Sequence, residues 1–566
     1  VACLLKTVSL PKSHLKHIGG CLMRRLPLLT TLLAALPMGT ALAQTPAPAG
    51  PTPAPTSCSA PVDPYKNYAC LDNYLGDNVF VRLFNYYKLE WGQAGPPTDP
   101  NALSGRKAGW DPAPETIPPM PFTDWPYGGT TALGGNRTAS VDSPLMVAIA
   151  NTGVGKLMSD LGIQLYGWVD PGGNFSTNSL RKLGNAPIAY AAYANTAQLD
   201  QAVLYLERTP DTIQTDHVDW GFRISGIYGE NYRYTTGLGY GSYQNLKYNN
   251  QNGFDYPMLY GELYFPQVAE GMMLRLGRYI SLPDIEAQLA PNNYMYTHSL
   301  TYTYDNYTNV GLQASIAVTP NLIIQPGINI GTETSPLNVN SYILNPSPNP
   351  LFPGTKILRD PGAQLPSGTL CIRYDWNEGR DDFQTCANGI NNGRWGVNNL
   401  QWYGATYYHK WNDQWHISVE AYDEHENGVP NANNPLVVNS NLTGYAQTGG
   451  PFALFNFNAP GLAHCTTTTA LRCNAYALGA VTYINYSPDP LNNFSIRPEV
   501  YYDPQGQRTG TPATYYELSL GWQHWFSPQL EVRPEIGYWH SNGANTFNGG
   551  TKNWTFLAAG DTIFHF

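Results

Sequence analysis

Asn309–Thr332 reads NVGLQASIAVTPNLIIQPGINIGT. Val310, Leu312, Ala314, Ile316 and Val318 share one parity, and Gly311, Gln313, Ser315 and Ala317 share the other. After Pro320-Asn321 the alternation resumes, with Leu322, Ile324, Pro326, Ile328 and Ile330 set against Gln325, Gly327, Asn329 and Gly331. A period of two puts each set on its own face of a strand. The apolar face is continuous and the opposite face is small and polar, the reverse of a buried core strand flanked by water. A barrel wall with lipid outside and water inside produces this pattern.

The device recurs from Leu161 to Phe566. Candidate strands are 161–170, 199–209, 216–230, 255–265, 271–280, 298–319, 321–332, 398–411, 414–424, 475–486, 492–503, 513–526, 529–540 and 553–566. Short links fall at Pro210, Pro266, Pro320, Asn412-Asp413, Pro488 and Pro528, and alternate with the long links 171–198, 231–254, 333–397 and 425–474. Outer-membrane barrels keep short turns on the periplasmic side and long loops outside, with an even strand count. The sequence therefore predicts an all-β fold, a transmembrane antiparallel up-and-down β-barrel of about fourteen strands, with twelve to sixteen compatible with the pattern.

Only 13% of residues are charged, while the chain holds 40 Tyr and 14 Trp. Outside the leader no apolar run approaches the roughly 18 residues that a membrane helix needs, so the chain crosses the membrane as strands or not at all. Tyr166, Trp168, Trp402, Trp415, Trp525 and Trp539 lie near strand ends, where interfacial girdles would place aromatics and where ordinary packing would also hold them.

Residues 23–43 read as a signal peptide: Met23-Arg24-Arg25 is cationic, Leu26 to Met38 is apolar, and Ala41-Leu42-Ala43 offers a small-x-small cleavage site. Residues 1–22 read as an over-extended gene start. Removing residues 1–43 takes away five cations and no acid, so the 31 Lys and Arg fall to 26 against 41 Asp and Glu. That acidic balance excludes a nucleic-acid partner. Residues 44–56 form a Pro/Ala-rich linker expected to be disordered. Residues 57–160 form an extension, partly helical, that rests in the periplasm or plugs the pore; Ser143-Pro144 is placed to start one helix.

Six cysteines follow the leader, each with a near neighbour: Cys58 with Cys70, Cys371 with Cys386, Cys465 with Cys473. An even count in an exported chain favours disulfides, and local pairing is the expected one of fifteen connectivities. The last two pairs fall in predicted loops. Zinc lacks the accompanying histidines or CxxC spacing, so neither metal nor cofactor is expected.

Soluble-enzyme motifs fail. Gly153-Val154-Gly155-Lys156 resembles a phosphate loop, but Ala150 stands where the first glycine belongs and Leu157 replaces the hydroxyl residue. His416, Ser418 and Glu420 share a face, yet alternate residues of one strand stand about 7 Å apart, too far for proton relay unaided. The chain is not read as an enzyme. The chemistry of the wall is charge: Arg223, Arg275, Glu420, Arg497, Glu499, Glu517, Glu531, Arg533 and Glu535 occupy the polar parity and are the pore-lining candidates. Pairing among them, bracing the wall, is an equal alternative to solute selection.

The runs Gln201–Arg208, Asp216–Arg223, Tyr228–Arg233, Leu276–Tyr279, Ala290–Tyr294 and His298-Ser299 together resemble the OmpL-like β-barrel porin family of Gram-negative bacteria. The resemblance covers most of 60–566. It implies an outer-membrane barrel and a porin, and supplies neither substrate nor catalytic residues. The last strand resembles an outer-membrane assembly signal, with Phe556, Phe564 and terminal Phe566 on the lipid parity, although Thr562 stands where an aromatic is usual.

The expected function is a passive outer-membrane channel for small hydrophilic solutes, exported by its leader. Its partners would be outer-membrane lipid, the barrel-assembly machinery and the solutes, with association into homo-oligomers left open. A substrate-specific channel, or a sealed structural or adhesive barrel, is the alternative.

Overall fold

The computed structural model describes residues 75–90 and 143–566, apart from interruptions of which the longest are 333–342, 345–357, 360–365, 392–399 and 438–461. The leader, the linker at 44–56 and the pair Cys58 and Cys70 lie outside the described residues, as does most of the extension at 57–160.

Sixteen antiparallel strands close into one barrel. They are β1 (Gln164–Ser176), β2 (Ala197–Arg208), β3 (Asp219–Gly229), β4 (Gly253–Asp255 continued by Leu259–Phe265), β5 (Met272–Ile280), β6 (Thr308–Thr319), β7 (Leu322–Thr332) and β8 (Ser367–Trp376). The second half is β9 (Asp381–Ile390), β10 (Gln401–Lys410), β11 (Trp415–Pro430), β12 (Arg472–Asp489), β13 (Asn492–Asp503), β14 (Ala513–Ser527), β15 (Leu530–Val532 continued by Glu535–Asn542) and β16 (Trp554–His565). Each pairs with its neighbours in sequence, and β1 pairs with β16 to close the ring. Pro257 and Pro534 lie in the gaps of β4 and β15, where a residue without an N–H cannot continue a ladder.

Sixteen is the upper end of the range of twelve to sixteen read from the sequence, above its central value of about fourteen. β8 and β9 lie within the stretch predicted as the loop 333–397. The outward face of β9 offers only Phe383, Thr385 and Ala387, so its alternation is faint. The disulfide Cys371–Cys386 thus joins directly opposed residues of two wall strands rather than closing a loop. Cys465–Cys473 ties the loop after β11 to the first turn of β12.

Alternation sorts the side chains between two media. On β6 and β7, Asn309, Gln313, Ser315, Gln325 and Asn329 are buried inside, while Leu312 and Ile328 are exposed on the outside. Of the six aromatics that either rim or packing could hold, Tyr166, Trp168, Trp402, Trp525 and Trp539 are buried and point inward, as packing requires, and Trp415 alone is exposed. The rims are formed by others. Trp220, Tyr374, Trp411 and Phe526 are exposed near the short-turn end, and Tyr228, Phe254, Tyr403, Tyr476, Tyr538 and Trp554 near the long-loop end.

No link at one end exceeds ten residues, and every longer one lies at the other. At the short-turn end lie helices α1 (Val79–Glu90), α2 (Pro144–Ile149) and α3 (Gly153–Asp160). Ser143 caps α2 by accepting from the Met146 amide, with Pro144 in the first turn. Ser143 also donates to the Leu165 carbonyl and Tyr87 to that of His565, which fixes the helices to the β1–β16 seam. Among the described residues no helix is long and apolar enough to cross a membrane.

Candidate functional site: the barrel interior

The link between β5 and β6, residues 281–307, does not stay at the rim. It crosses the lumen, and its described residues are buried. The strand predicted at 298–319 therefore begins only at Thr308, and 298–307 belongs to this infolded segment. A strand of that predicted length already exceeded the roughly 9–11 residues needed to span. Part of the β1–β2 loop also turns inward: Tyr190 stacks on His298 with ring centroids 3.6 Å apart, and Tyr304 donates to the Pro187 carbonyl.

An irregular backbone inside a barrel has no ladder to satisfy its amides, and each amide left bare would cost free energy. The wall supplies the acceptors as carboxylates. Glu420 on β11 accepts from the Ile285 amide at 2.9 Å. Glu499 on β13 accepts from the amides of Leu300 at 2.9 Å and Thr301 at 2.5 Å, and from the Thr301 hydroxyl at 2.6 Å. Glu535 on β15 accepts from the Thr297 amide at 2.9 Å and from its hydroxyl. Charge-assisted bonds of this kind are stronger than neutral ones.

Arg497 on β13 is the hub. It is fully buried and reaches Glu517 at 2.6 Å, Glu286 of the segment at 3.3 Å and Glu535 at 3.6 Å. Its guanidinium also donates to the Thr297 carbonyl and, at 2.7 Å, to the Thr297 hydroxyl. Glu499 and Glu517 stand directly opposite each other on β13 and β14, an arrangement of like charges that is unfavourable alone. Arg497 on one side and the segment's amides on the other relieve it.

A second anchor is Arg533 on β15. It pairs with Asp561 on β16 and donates to the carbonyls of Ala290 and, at 2.9 Å, Asn293. Glu531 meets His565 at 3.3 Å and accepts from Gln523 at 2.7 Å. Arg508, in the β13–β14 loop, donates to the carbonyls of Tyr304 at 2.9 Å and Asp305 at 3.0 Å and lies 3.3 Å from Glu424. His298 Nε2 lies 2.7 Å from the Ala287 carbonyl.

All nine charged candidates face the interior and are buried. Glu420, Arg497, Glu499, Arg533 and Glu535 contact the infolded segment and Glu517 touches it through Arg497, whereas Glu531 meets only wall residues in the bonds above. Arg223 and Arg275 form cross-strand pairs with Glu207 at 2.6 Å and Glu262 at 2.7 Å. Sequence reasoning missed Glu286, Thr297, Arg508 and Asp561. Of these, Asp561 lies on a recognised strand, 553–566, at the parity opposite to Phe564, a signal that could have placed it inward. His416, Ser418 and Glu420 do share a wall, but His416 faces Tyr294 and Glu420 holds the Ile285 amide, so they form no relay. Phe556, Phe564 and Phe566 share the outward parity of the closing strand, with Phe564 against the Tyr87 ring at 5.1 Å.

A closed even-stranded barrel with an apolar belt, a polar interior and a segment folded across its lumen is an outer-membrane barrel of porin type. Residues 162–566 match the family described as "Putative beta-barrel porin-2, OmpL-like", and the chain belongs to that family; it is an outer-membrane porin. No curated protein matches the sequence. Among solved structures, the anion-selective porin from Comamonas acidovorans is 8% identical, with 71% of this chain and 99% of that chain covered and a TM-score of 0.41. The outer membrane channel DcaP of Acinetobacter baumannii is 10% identical, with 71% and 97% covered and a TM-score of 0.40. Salmonella typhi OmpF, in a complex with daunomycin, is 11% identical, with 72% and 99% covered and a TM-score of 0.39.

Proposed function

We propose that this porin is a restricted passive channel for small hydrophilic solutes, its bore set by residues 281–307 rather than by the diameter of the wall. The observation that carries the reading is the segment's position across a lumen whose wall is polar and charged. Arg223, Arg275, Glu420, Arg497, Glu499, Glu517, Glu531, Arg533 and Glu535 bound the passage, with solute moving past the ion pairs rather than between free charges. No catalysis is involved. The leader at 23–43 exports the chain, and the barrel-assembly machinery reads the closing strand with Phe556, Phe564 and Phe566 before release into outer-membrane lipid.

The test is planar-bilayer conductance of the purified mature protein. Discrete steps, smaller than those of an open barrel of equal strand number, are expected. The complete burial of the interior charges favours a second reading, a sealed barrel, and conductance no greater than lipid background would establish it instead. Orientation is checked with epitopes. One inserted at Thr468, exposed in the β11–β12 loop, is expected to be accessible on intact cells, and one at Asn321, in the β6–β7 turn, only after permeabilisation.

A further inference from the structure

Asp284 lies just after β5 and Asp305 just before β6, so both stand at the roots of the infolded segment. Glu420 reaches them from β11. Each of the three offers a carboxylate oxygen, and these oxygens lie within 4.8 Å of one another. A calcium ion takes oxygen ligands at about 2.3–2.6 Å, so ligands on opposite sides of it stand about 4.8 Å apart. Oxygens no more than 4.8 Å apart can close on that ion, and three protein carboxylates suit it better than magnesium, which usually takes one or two carboxylates and keeps several waters.

A separate observation points to a ligand. Asp284 and Glu420 are both 0% exposed, yet Asp284 Oδ1 and Glu420 Oε1 have no hydrogen-bond partner among the described residues. Neither residue forms an ion pair with Arg, Lys or His there, although Arg497 and Arg533 pair with other interior carboxylates. Beside Asp305 in the chain, Asn306 is also 0% exposed, and neither its amide nitrogen nor its oxygen has a hydrogen-bond partner among the described residues. Buried carboxylate oxygens with neither donor nor cation are costly, and a bound cation supplies the missing charge. The sites already described use Glu420 only through its other oxygen, which accepts from Ile285.

We propose that Asp284, Asp305 and Glu420 bind a divalent cation of calcium's size, which fastens both roots of the infolded segment to β11. Water completes the coordination. The cation holds the segment across the lumen, so calcium steadies the porin's constriction.

The experiment uses the full-length folded barrel in detergent, stripped with a chelator and titrated with Ca2+ by calorimetry. Saturable uptake of about one ion per chain, with Kd of about 10⁻⁴–10⁻³ M, is expected for a site of this charge. Glu420→Gln is expected to weaken binding about tenfold or more, since affinity follows ligand charge. Should Glu420→Gln not fold, Asp284→Asn takes its place. Tb3+ titration of the wild type needs no variant: Tyr422, the next inward residue of β11 after Glu420, is expected to sensitise its emission, and Ca2+ to quench it by displacement. No saturable Ca2+ uptake, a Glu420→Gln barrel that binds as the wild type does, or Tb3+ emission that Ca2+ does not displace would each overturn the proposal. Binding is read without current, so a barrel that binds Ca2+ and does not conduct defeats the channel reading and leaves this one standing.

Discussion

The wall and the infolded segment are built from similar residues and obey different rules. On β6 and β7 every second residue changes medium, so Leu312 and Ile328 are exposed to lipid while Gln313 and Asn329 are buried. Within 281–307 apolar Leu289 and Met295 and polar Thr297 and Ser299 are buried alike, because protein surrounds the segment on all sides. Periodicity therefore reports a boundary between two media and falls silent where there is only one. What holds the segment is not a period but a set of acceptors and donors on the wall, above all Glu499, Glu535, Arg497 and Arg533.

The strongest way to break this comparison is to remove the segment and keep the wall. Replacing 285–304 with a short Gly/Ser linker leaves every strand pairing in place and exposes the wall charges to water, where they are tolerated. Single-channel conductance is expected to rise several-fold. An unchanged step would show that the segment does not set the bore. Next in size is Arg497→Met, which leaves Glu286, Glu517 and Glu535 buried without their cation. Breaking a buried ion pair from one side costs about 3–5 kcal/mol. The temperature at which the folded barrel is lost in detergent is expected to fall sharply. Arg275→Met, which breaks the pair with Glu262 and the contact with the Tyr260 ring but strands a single carboxylate, is expected to cost less. Equal losses would mean that the hub is not a hub.

Most of the wall was legible for the reason that most of the segment was not. The alternation of 309–332 located two strands and their turn, and the inward parity of Arg497, Glu499, Glu517, Glu531, Arg533 and Glu535 followed from it. Partners on the segment could not be read, since Glu286 and Thr297 lie in a stretch without period. Residues 290–294 and 298–299 carried part of the family resemblance, yet they say nothing about folding inward. β8 and β9 were missed because Thr385 and Ala387 weaken the lipid face of β9, and the aromatics could not be sorted one by one between rim and packing because a buried Trp168 and an exposed Trp415 both lie near strand ends. Trp168 is held inside by its bond to Gln201, at 3.1 Å.

A finer probe asks whether the wall carboxylates act as acceptors for the segment. Thr301→Val removes one hydroxyl donor to Glu499 and leaves both amides, so folding free energy is expected to drop by about 1.5–3 kcal/mol, the cost of a bond to a charged group. Urea unfolding in lipid vesicles measures it. A neutral result would show that the amides alone satisfy Glu499.

The smallest expected effect tests the stretch from which the fold was read. Ile328 and Asn329 are adjacent on β7 and face opposite sides of the wall. Ile328→Val removes one methylene from a side chain that meets lipid, where neither packing nor hydrogen bonding constrains it, and is expected to change stability by no more than about 0.5 kcal/mol. Asn329→Leu keeps the branching and number of side-chain heavy atoms but removes a donor to Thr369, 3.2 Å away, and an acceptor for the Gly331 amide, 2.9 Å away. Leaving those buried partners unsatisfied costs about 1–3 kcal/mol. Urea midpoints of the two variants in the same vesicles decide the matter. If Ile328→Val is the more damaging, the register of β7 is displaced by one residue, since a slip of one exchanges every side chain between lipid and lumen.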